Sequence, residues 1–369
     1  MINYTNEDRH YEQTKHNLFE ILHETAHSPV QRSGEYNGKY LVPKYTKQVE
    51  EQIKKLTGRK HCVATLNATS AICASLTALG IGPGDEVIVT SYSYVASVNQ
   101  VQLLGATPIF CDVDEQGIIN IDQVEANIGA KTKAILPVSL YGNTPDYARL
   151  QDISEAHNIP ILNDTAQSMY SEYKGKPDGS FGDFSVFSFS KNKPVPTVFG
   201  FGVVLFDDDK YFNNVTAATR NGKMNRLQSP QTRGLNSQPY EIHCAHASYC
   251  ISQGSLWNDV RCTISENYVE QFRDLPIDYI KPQNFCKTNW HKFVVKTDQR
   301  DELAQHLWNN DINAVKHYTD NLSKDNTMTN TIKLGQTVLS LPNHAWLEDW
   351  EIAKVIETVR SFYKGKQWL

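Results

Sequence analysis

No stretch of this 369-residue chain reaches 18 consecutive apolar residues, so no transmembrane helix is expected. The opening Met1-Ile2-Asn3-Tyr4-Thr5-Asn6-Glu7-Asp8-Arg9 has no apolar core of the kind a signal peptide needs, and a cytoplasmic location is expected. Basic charge is not in surplus: 36 Lys and Arg stand against 41 Asp and Glu, a net charge of −5, which argues against a nucleic-acid surface. The seven cysteines (Cys62, Cys73, Cys111, Cys244, Cys250, Cys262 and Cys286) contain no CxxC pair and are odd in number. Buried free thiols are expected rather than a disulfide framework. Neither an HExxH motif nor a Cys/His cluster occurs, so no metal is expected. Internal repeats and low-complexity tracts are also missing. What is present is 40% hydrophobic and 21% charged residues, an ordinary globular composition at a length that suits two domains.

Along the chain the pattern is an alternation. Residues 1–34 read as a polar, irregular extension with some helical periodicity around Leu18, Ile21 and Leu22. Val49, Ile53 and Leu56 recur at helical spacing between Lys44 and Thr57, and Gly58 closes that helix. There follow a strand over 61–66, a helix over 71–79, a strand over 86–90, a helix over 95–104, and strands over 107–111, 133–138 and 159–163. Repeated β-α-β units predict an α/β fold, a mostly parallel central sheet with helices on both faces and ligands at the strand C-terminal ends. Residues 220–240 look like an exposed connecting loop. A helix from about 241 to 256 leads into a smaller unit with a strand at 292–296 and helices at 300–309 and 349–363. We therefore expect a large domain over 1–240, the first 34 residues being an extension, and a small α+β domain over 241–369.

Chemistry concentrates in Gly182-Asp183-Phe184-Ser185-Val186-Phe187-Ser188-Phe189-Ser190-Lys191-Asn192-Lys193. Phe187 and Phe189 alternate with serines as in a strand with one apolar face, and Pro194 and Pro196 stop ladder pairing just beyond. A rigid strand thus delivers Lys193, with Lys191 as the alternative, to a fixed point where a desolvated amine can bond to an aldehyde. Three other places suit the same ligand. Thr69 and Ser70 lie where a strand turns into a helix, whose free N–H groups hold a phosphate, and the Ser188 hydroxyl adds a donor. Asp164 ends an apolar strand and can keep a pyridine nitrogen protonated. Tyr92 and Tyr94 follow another strand, and either ring can stack on a flat heterocycle. Asn236, in the polar loop, adds a weaker phosphate donor from a neighbouring subunit. Together they point to pyridoxal 5'-phosphate.

These residues resemble the DegT-type aminotransferases of nucleotide-linked keto sugars, which have the aspartate-aminotransferase-like fold. The resemblance runs from about residue 38 to the C-terminus. It is carried by Asn67-Ala68-Thr69-Ser70-Ala71, Gly80-Ile81-Gly82-Pro83-Gly84-Asp85, Gly105-Ala106-Thr107-Pro108, Asn163-Asp164-Thr165-Ala166-Gln167-Ser168 and the serine-to-lysine spacing up to Lys193. Gly234-Leu235-Asn236, His317-Tyr318 and Leu341-Pro342-Asn343-His344 continue it. It implies a fold-type I transferase in which Lys193 bonds to the cofactor aldehyde and shuttles protons, Asp164 faces the ring nitrogen, Gln167 the ring hydroxyl, and Tyr94 stacks. Ala68, Thr69 and Ser188 would bind the phosphate, with Asn236 of the partner chain in a homodimer. His317 and Tyr318 would meet the substrate. Departures from the family pattern are Ala68 where a glycine is usual, Val198-Phe199-Gly200-Phe201-Gly202 after the lysine, and Gln238 for an arginine.

The resemblance also implies an activity: an amino group passes from an amino-acid donor, L-glutamate, to C3 or C4 of a nucleotide-linked keto deoxysugar by ping-pong kinetics. Deoxyamino-sugar synthesis for cell-surface polysaccharide is the implied context. A transaminase of a free keto sugar or cyclitol is one alternative. A non-catalytic regulator on the same fold, suggested by Phe199 and Phe201 near the lysine, is the other.

Overall fold

The computed structural model describes residues 1–364 apart from 6, 28–29, 33, 37–38 and 225–227. Short apolar windows between helix caps build seven central strands: β1 (His61–Thr65), β2 (Glu86–Thr90), β3 (Thr107–Cys111), β4 (Thr132–Leu136), β5 (Leu162–Asp164), β6 (Phe184–Ser188) and β7 (Gly202–Phe206). Their spatial order is β3-β2-β4-β5-β6-β7-β1, with β4 joined to β5 through the parallel bridges Ile135–Ile161 and Val138–Asp164. All share one direction except β7, which runs antiparallel to both of its neighbours. The parallel expectation thus holds with one exception. The chain turns back from β6 through residues 189–201 with no crossover helix, and a direct return of that kind produces an antiparallel neighbour.

β6 differs from the one-faced strand expected. Phe184 and Val186 belong to one apolar cluster, Phe187 and Phe189 to another, so both faces are buried. Its serines are interior residues, not a solvent face, which suits a central strand of an α/β sheet. The loop that follows is tethered. Thr197 N–H donates to Phe189 O at 3.0 Å, and Arg261 Nη1 donates to Pro194 O at 2.8 Å.

The helix expected to end near residue 256 runs from Glu241 to Gln271. Gly254, an apparent break, is a close-packing position, since an added Cβ would lie 2.6 Å from the Tyr170 hydroxyl. The C-terminal sheet pairs Asp278–Tyr279, Phe293–Lys296 and Val338–Leu341 in antiparallel fashion. Its middle strand starts at Phe293, leaving Lys292 just before it. Ile280, Val294, Leu334 and Val338 pack in the same cluster as the large-sheet residues Val87, Val89 and Leu136.

The N-terminal extension is the main correction. Residues Glu7–Ala26 form a 20-residue helix. Its buried positions are His10, Thr14, Ile21 and Thr25, a helical face built largely from polar residue types, so hydrophobic periodicity shows it only weakly, around Leu18, Ile21 and Leu22. Arg9 clasps Glu351 through Nη1–Oε2 at 2.6 Å and Nη2–Oε1 at 3.2 Å. The His10 ring lies 5.4 Å from that of Trp257 and 4.8 Å from that of Trp346.

Burial lowers the pKa values of His10, His246 and His344 to about 4 each. A free imidazole titrates near about 6.5, so on acidification the unfolded chain takes up protons first. This stability is present above that value and is lost as pH falls toward 4. We expect the melting temperature to fall by at least about 5 °C between pH 7 and 4.5, and the fall to be smaller in His10→Leu. A fall of the same size in the variant would assign the acid sensitivity to carboxylates instead.

Among the described residues no helix is long and apolar enough to cross a membrane. The cysteines are free thiols; Cys262 and Cys286 are half-buried and the rest buried.

Candidate active site

Where β1 ends, the chain turns into the helix Ala68–Ala78, which starts three residues earlier than the pattern suggested. Asn67, not Thr69, is the N-cap: its Oδ1 accepts from Ser70 N–H at 2.8 Å. The N–H groups of Ala68 and Thr69 are left without protein partners among the described residues, at the positive end of the helix. β7 passes very close here. A Cβ on Gly202 would sit 2.4 Å from the Asn67 carbonyl carbon and 2.6 Å from Ala68 N, so only glycine allows the strand to lie against the helix start. Ala68, Thr69 and Ser188 all face one cavity of about 320 Å³. This cradle fits a phosphate by geometry and by donor type.

The same cavity is lined by Asp164, Gln167 and Lys193. Asp164, at the end of β5, is fixed by Ser97 Oγ, which donates to Oδ2 at 2.6 Å, and by Ala166 N–H, which donates to Oδ1 at 3.1 Å. Gln167 Oε1 accepts from Tyr141 N–H at 3.2 Å. Lys193 is held by its N–H donating to Ser190 O at 2.9 Å. Burial lowers the pKa of its ammonium, against an opposing pull from Asp164. Lys191, the alternative, is 66% exposed in its side chain and pairs with Glu7 at 3.0 Å, so of the two Lys193 is the one that lines the cavity.

Tyr94 lines the cavity and is 55% exposed, whereas Tyr92 is wholly buried. The Tyr92 hydroxyl donates to His317 O at 3.0 Å and accepts from Tyr318 N–H at 2.8 Å. Tyr141 also donates to His317 O. These two phenols hold the His317–Tyr318 segment, and both of its side chains line the cavity. Asn236 is the exception among the expected residues. It is exposed, pairs with Arg220 and does not line the cavity of its own chain. Its neighbour Ser237 O accepts from Leu66 N–H at 2.7 Å, which anchors the loop beside the phosphate cradle. Residues 225–227 of that loop lie outside the described residues. Phe199 stacks on His243 at 5.5 Å and Phe201 is buried; neither lines the cavity.

Sequence reading missed Ser97, Tyr141, His291 and Lys292. Ser97 sits inside a helix and Tyr141 in a short turn, and no local motif marks either. His291 and Lys292 precede a strand of the C-terminal sheet and reach the cavity only through the tertiary fold.

A phosphate cradle, a strand-end carboxylate and a buried amine around one cavity define a pyridoxal-phosphate enzyme of the aspartate-aminotransferase type. The chain belongs to the DegT/DnrJ/EryC1/StrS aminotransferase family, whose profile matches residues 27–360, and it is a pyridoxal-phosphate-dependent aminotransferase. It is similar to the dTDP-3-amino-3,4,6-trideoxy-alpha-D-glucose transaminase of Streptomyces venezuelae, 30% identical over 339 residues, covering 88% of this chain and 89% of that one. A Geobacillus stearothermophilus protein named pleiotropic regulatory protein is 27% identical over 369 residues, covering 96% of each. Among solved structures, DesV of S. venezuelae superposes with a TM-score of 0.90 at 26% identity, covering 98% of both chains.

Proposed function

We propose that this protein transfers an amino group from L-glutamate to C3 or C4 of a nucleotide-linked keto deoxysugar, as a cytoplasmic homodimer working by ping-pong kinetics. Deoxyamino-sugar supply for cell-surface polysaccharide is the context we assign to it. The observation that carries this reading is the convergence of Lys193, Asp164 and the Ala68–Thr69 helix start on one cavity.

Ala68, Thr69 and Ser188 would hold the phosphate, Asp164 the ring nitrogen, Gln167 the ring hydroxyl and Tyr94 the ring face. When bound, pyridoxal phosphate supplies an aldehyde and an electron sink for the carbon that loses its proton. Lys193, with its lowered pKa, is suited to accept and return that proton near neutral pH. His317 and Tyr318 face the reactant from the C-terminal unit. Asn236 would complete the phosphate cradle of the partner subunit. The large unit, residues 1–240, would carry the cofactor and residues 241–369 the substrate wall.

The regulator reading has one observation behind it, the name of the Geobacillus relative. The buried, oriented state of Lys193 and Asp164 favours turnover, and Phe199 and Phe201 leave the cavity clear. The test follows the visible absorbance of the cofactor-loaded protein. Glutamate is expected to bleach it and a nucleotide-linked keto sugar to restore it over many cycles. If no amino acid changes the spectrum, the proposal fails; turnover only of free keto sugars or cyclitol ketones would replace the substrate class.

A further inference from the structure

We propose that Lys292, seated on Tyr4, forms a carboxylate-binding subsite in the wall of the Lys193 cavity, built to hold an anionic group of a reactant. This deepens the aminotransferase reading and rests on it for what enters the cavity. Lys292 lines the cavity together with Lys193 and His317 and is only 4% exposed. Its ammonium donates to the Tyr4 hydroxyl at 2.6 Å and lies 4.7 Å from the centre of the Tyr4 ring. Among the described residues no carboxylate pairs with it.

The charge balance around Lys292 is one-sided. Lys193 is close enough to repel a charge on Lys292, the Asp164 carboxylate of the same cavity acts on Lys193, and burial holds the imidazoles of His291 and His317 neutral. Burial also keeps the Tyr4 phenol protonated; its oxygen accepts from Lys292, and the Ser340 side chain is its other hydrogen-bond neighbour, so Tyr4 positions the ammonium. An interior ammonium with unused donors and no counter-charge is strongly disfavoured unless an anion arrives or the proton leaves. Burial and the Lys193 charge do push the Lys292 pKa well down, which makes uptake of a proton on anion binding the expected signature.

The cofactor phosphate does not explain this pair. Its cradle is formed at the start of the helix Ala68–Ala78 and by Ser188 on β6. Lys292 instead belongs to the C-terminal unit, like His317 and Tyr318. Tyr4 is delivered by an N-terminal segment pinned there, with Ile2 N–H donating to Asp311 O at 2.6 Å and Asn313 N–H to Ile2 O at 2.9 Å. A point-charge ammonium beside a phenol suits a carboxylate. Two sources have that chemistry, the amino-acid donor and an acidic keto sugar.

The experiment measures binding of glutarate, a dicarboxylate without an amino group, to cofactor-loaded wild type, Lys292→Met and Tyr4→Phe by calorimetry in two buffers of different ionisation heat. Lys292→Met is expected to raise the glutarate Kd about 10- to 100-fold and to abolish proton uptake, with a smaller rise in Tyr4→Phe. Wild-type affinity and proton uptake in Lys292→Met would overturn the subsite. Should Lys292→Met not fold, Tyr4→Phe decides: unchanged glutarate affinity there overturns the proposal. Kinetics assign the source: a raised KM for glutamate points to the donor, a raised KM for an acidic keto sugar to the sugar. Because glutarate binding needs no turnover, a protein that transfers no amine yet shows the Lys292-dependent affinity keeps the subsite while the activity reading falls.

Discussion

Lys193→Ala is expected to lose at least about 10⁴-fold in kcat, because one side chain supplies both the covalent tether and the proton shuttle. The variant should fold. It removes a buried ammonium, which gains little from its surroundings beyond the pull of Asp164. The visible band of the lysine-bound cofactor should be missing, although the proposed phosphate contacts at Ala68 and Thr69 would still bind the cofactor. Lys193→Arg should be equally inactive, since a guanidinium keeps its proton and cannot act as the nucleophile. Lys191→Ala is the control. It removes an exposed ion pair with Glu7, worth about 0–1 kcal/mol, and should behave as wild type. Retention of the visible band in Lys193→Ala would show that the amine has been misassigned. The lowered pKa of Lys193 adds a pH signature: its deprotonated form is reached below the usual lysine range, so the proton-transfer rate should level off before pH 10.5.

Asp164→Asn is expected to lower kcat about 10²- to 10³-fold with much less effect on folding. Asparagine has the same shape, and its oxygen can still accept from either Ser97 or Ala166, the present partners. What it lacks is the negative charge that, in the proposed arrangement, would keep the ring nitrogen protonated. The loss should therefore appear in the rate of proton removal from the donor carbon, followed in a single turnover, more than in cofactor affinity. Ser97→Ala leaves the charge but frees one carboxylate oxygen, and a loss of about 10-fold is expected, one charge-assisted hydrogen bond's worth. A near-wild-type rate in Asp164→Asn would mean that the carboxylate does not face the ring nitrogen, and the assignment of the whole cavity would go with it.

The helix start, the strand-end carboxylate and the amine were legible because each is a local event. A β-α junction shows its cap within four residues, and Asp164 and Lys193 follow apolar windows that can only be strands. The helix itself begins at Ala68, three residues before the apolar pattern places it, because Asn67 caps it and the first turn is built from small and polar residues. The N-terminal helix shows in the sequence only as weak periodicity around Leu18, Ile21 and Leu22, because its buried face uses histidine and threonine, with His10 packed on Trp257 and Trp346 and Arg9 clasping Glu351 from distant parts of the chain. No window around residue 10 contains those partners.

Sequence by itself determined the β-α alternation, the cofactor class and the residue types that meet at the cavity, Lys193, Asp164 and the Ala68–Thr69 helix start. These depend on hydrogen-bond patterns and residue spacing within a few turns of chain. Tertiary structure alone decided the antiparallel course of β7, the burial of both faces of β6, the clamp of Tyr92 and Tyr141 on His317, and the meeting of Tyr4 with Lys292. Those outcomes rest on segments far apart in sequence packing together, and lysine and tyrosine are ordinary surface residues until burial removes their water.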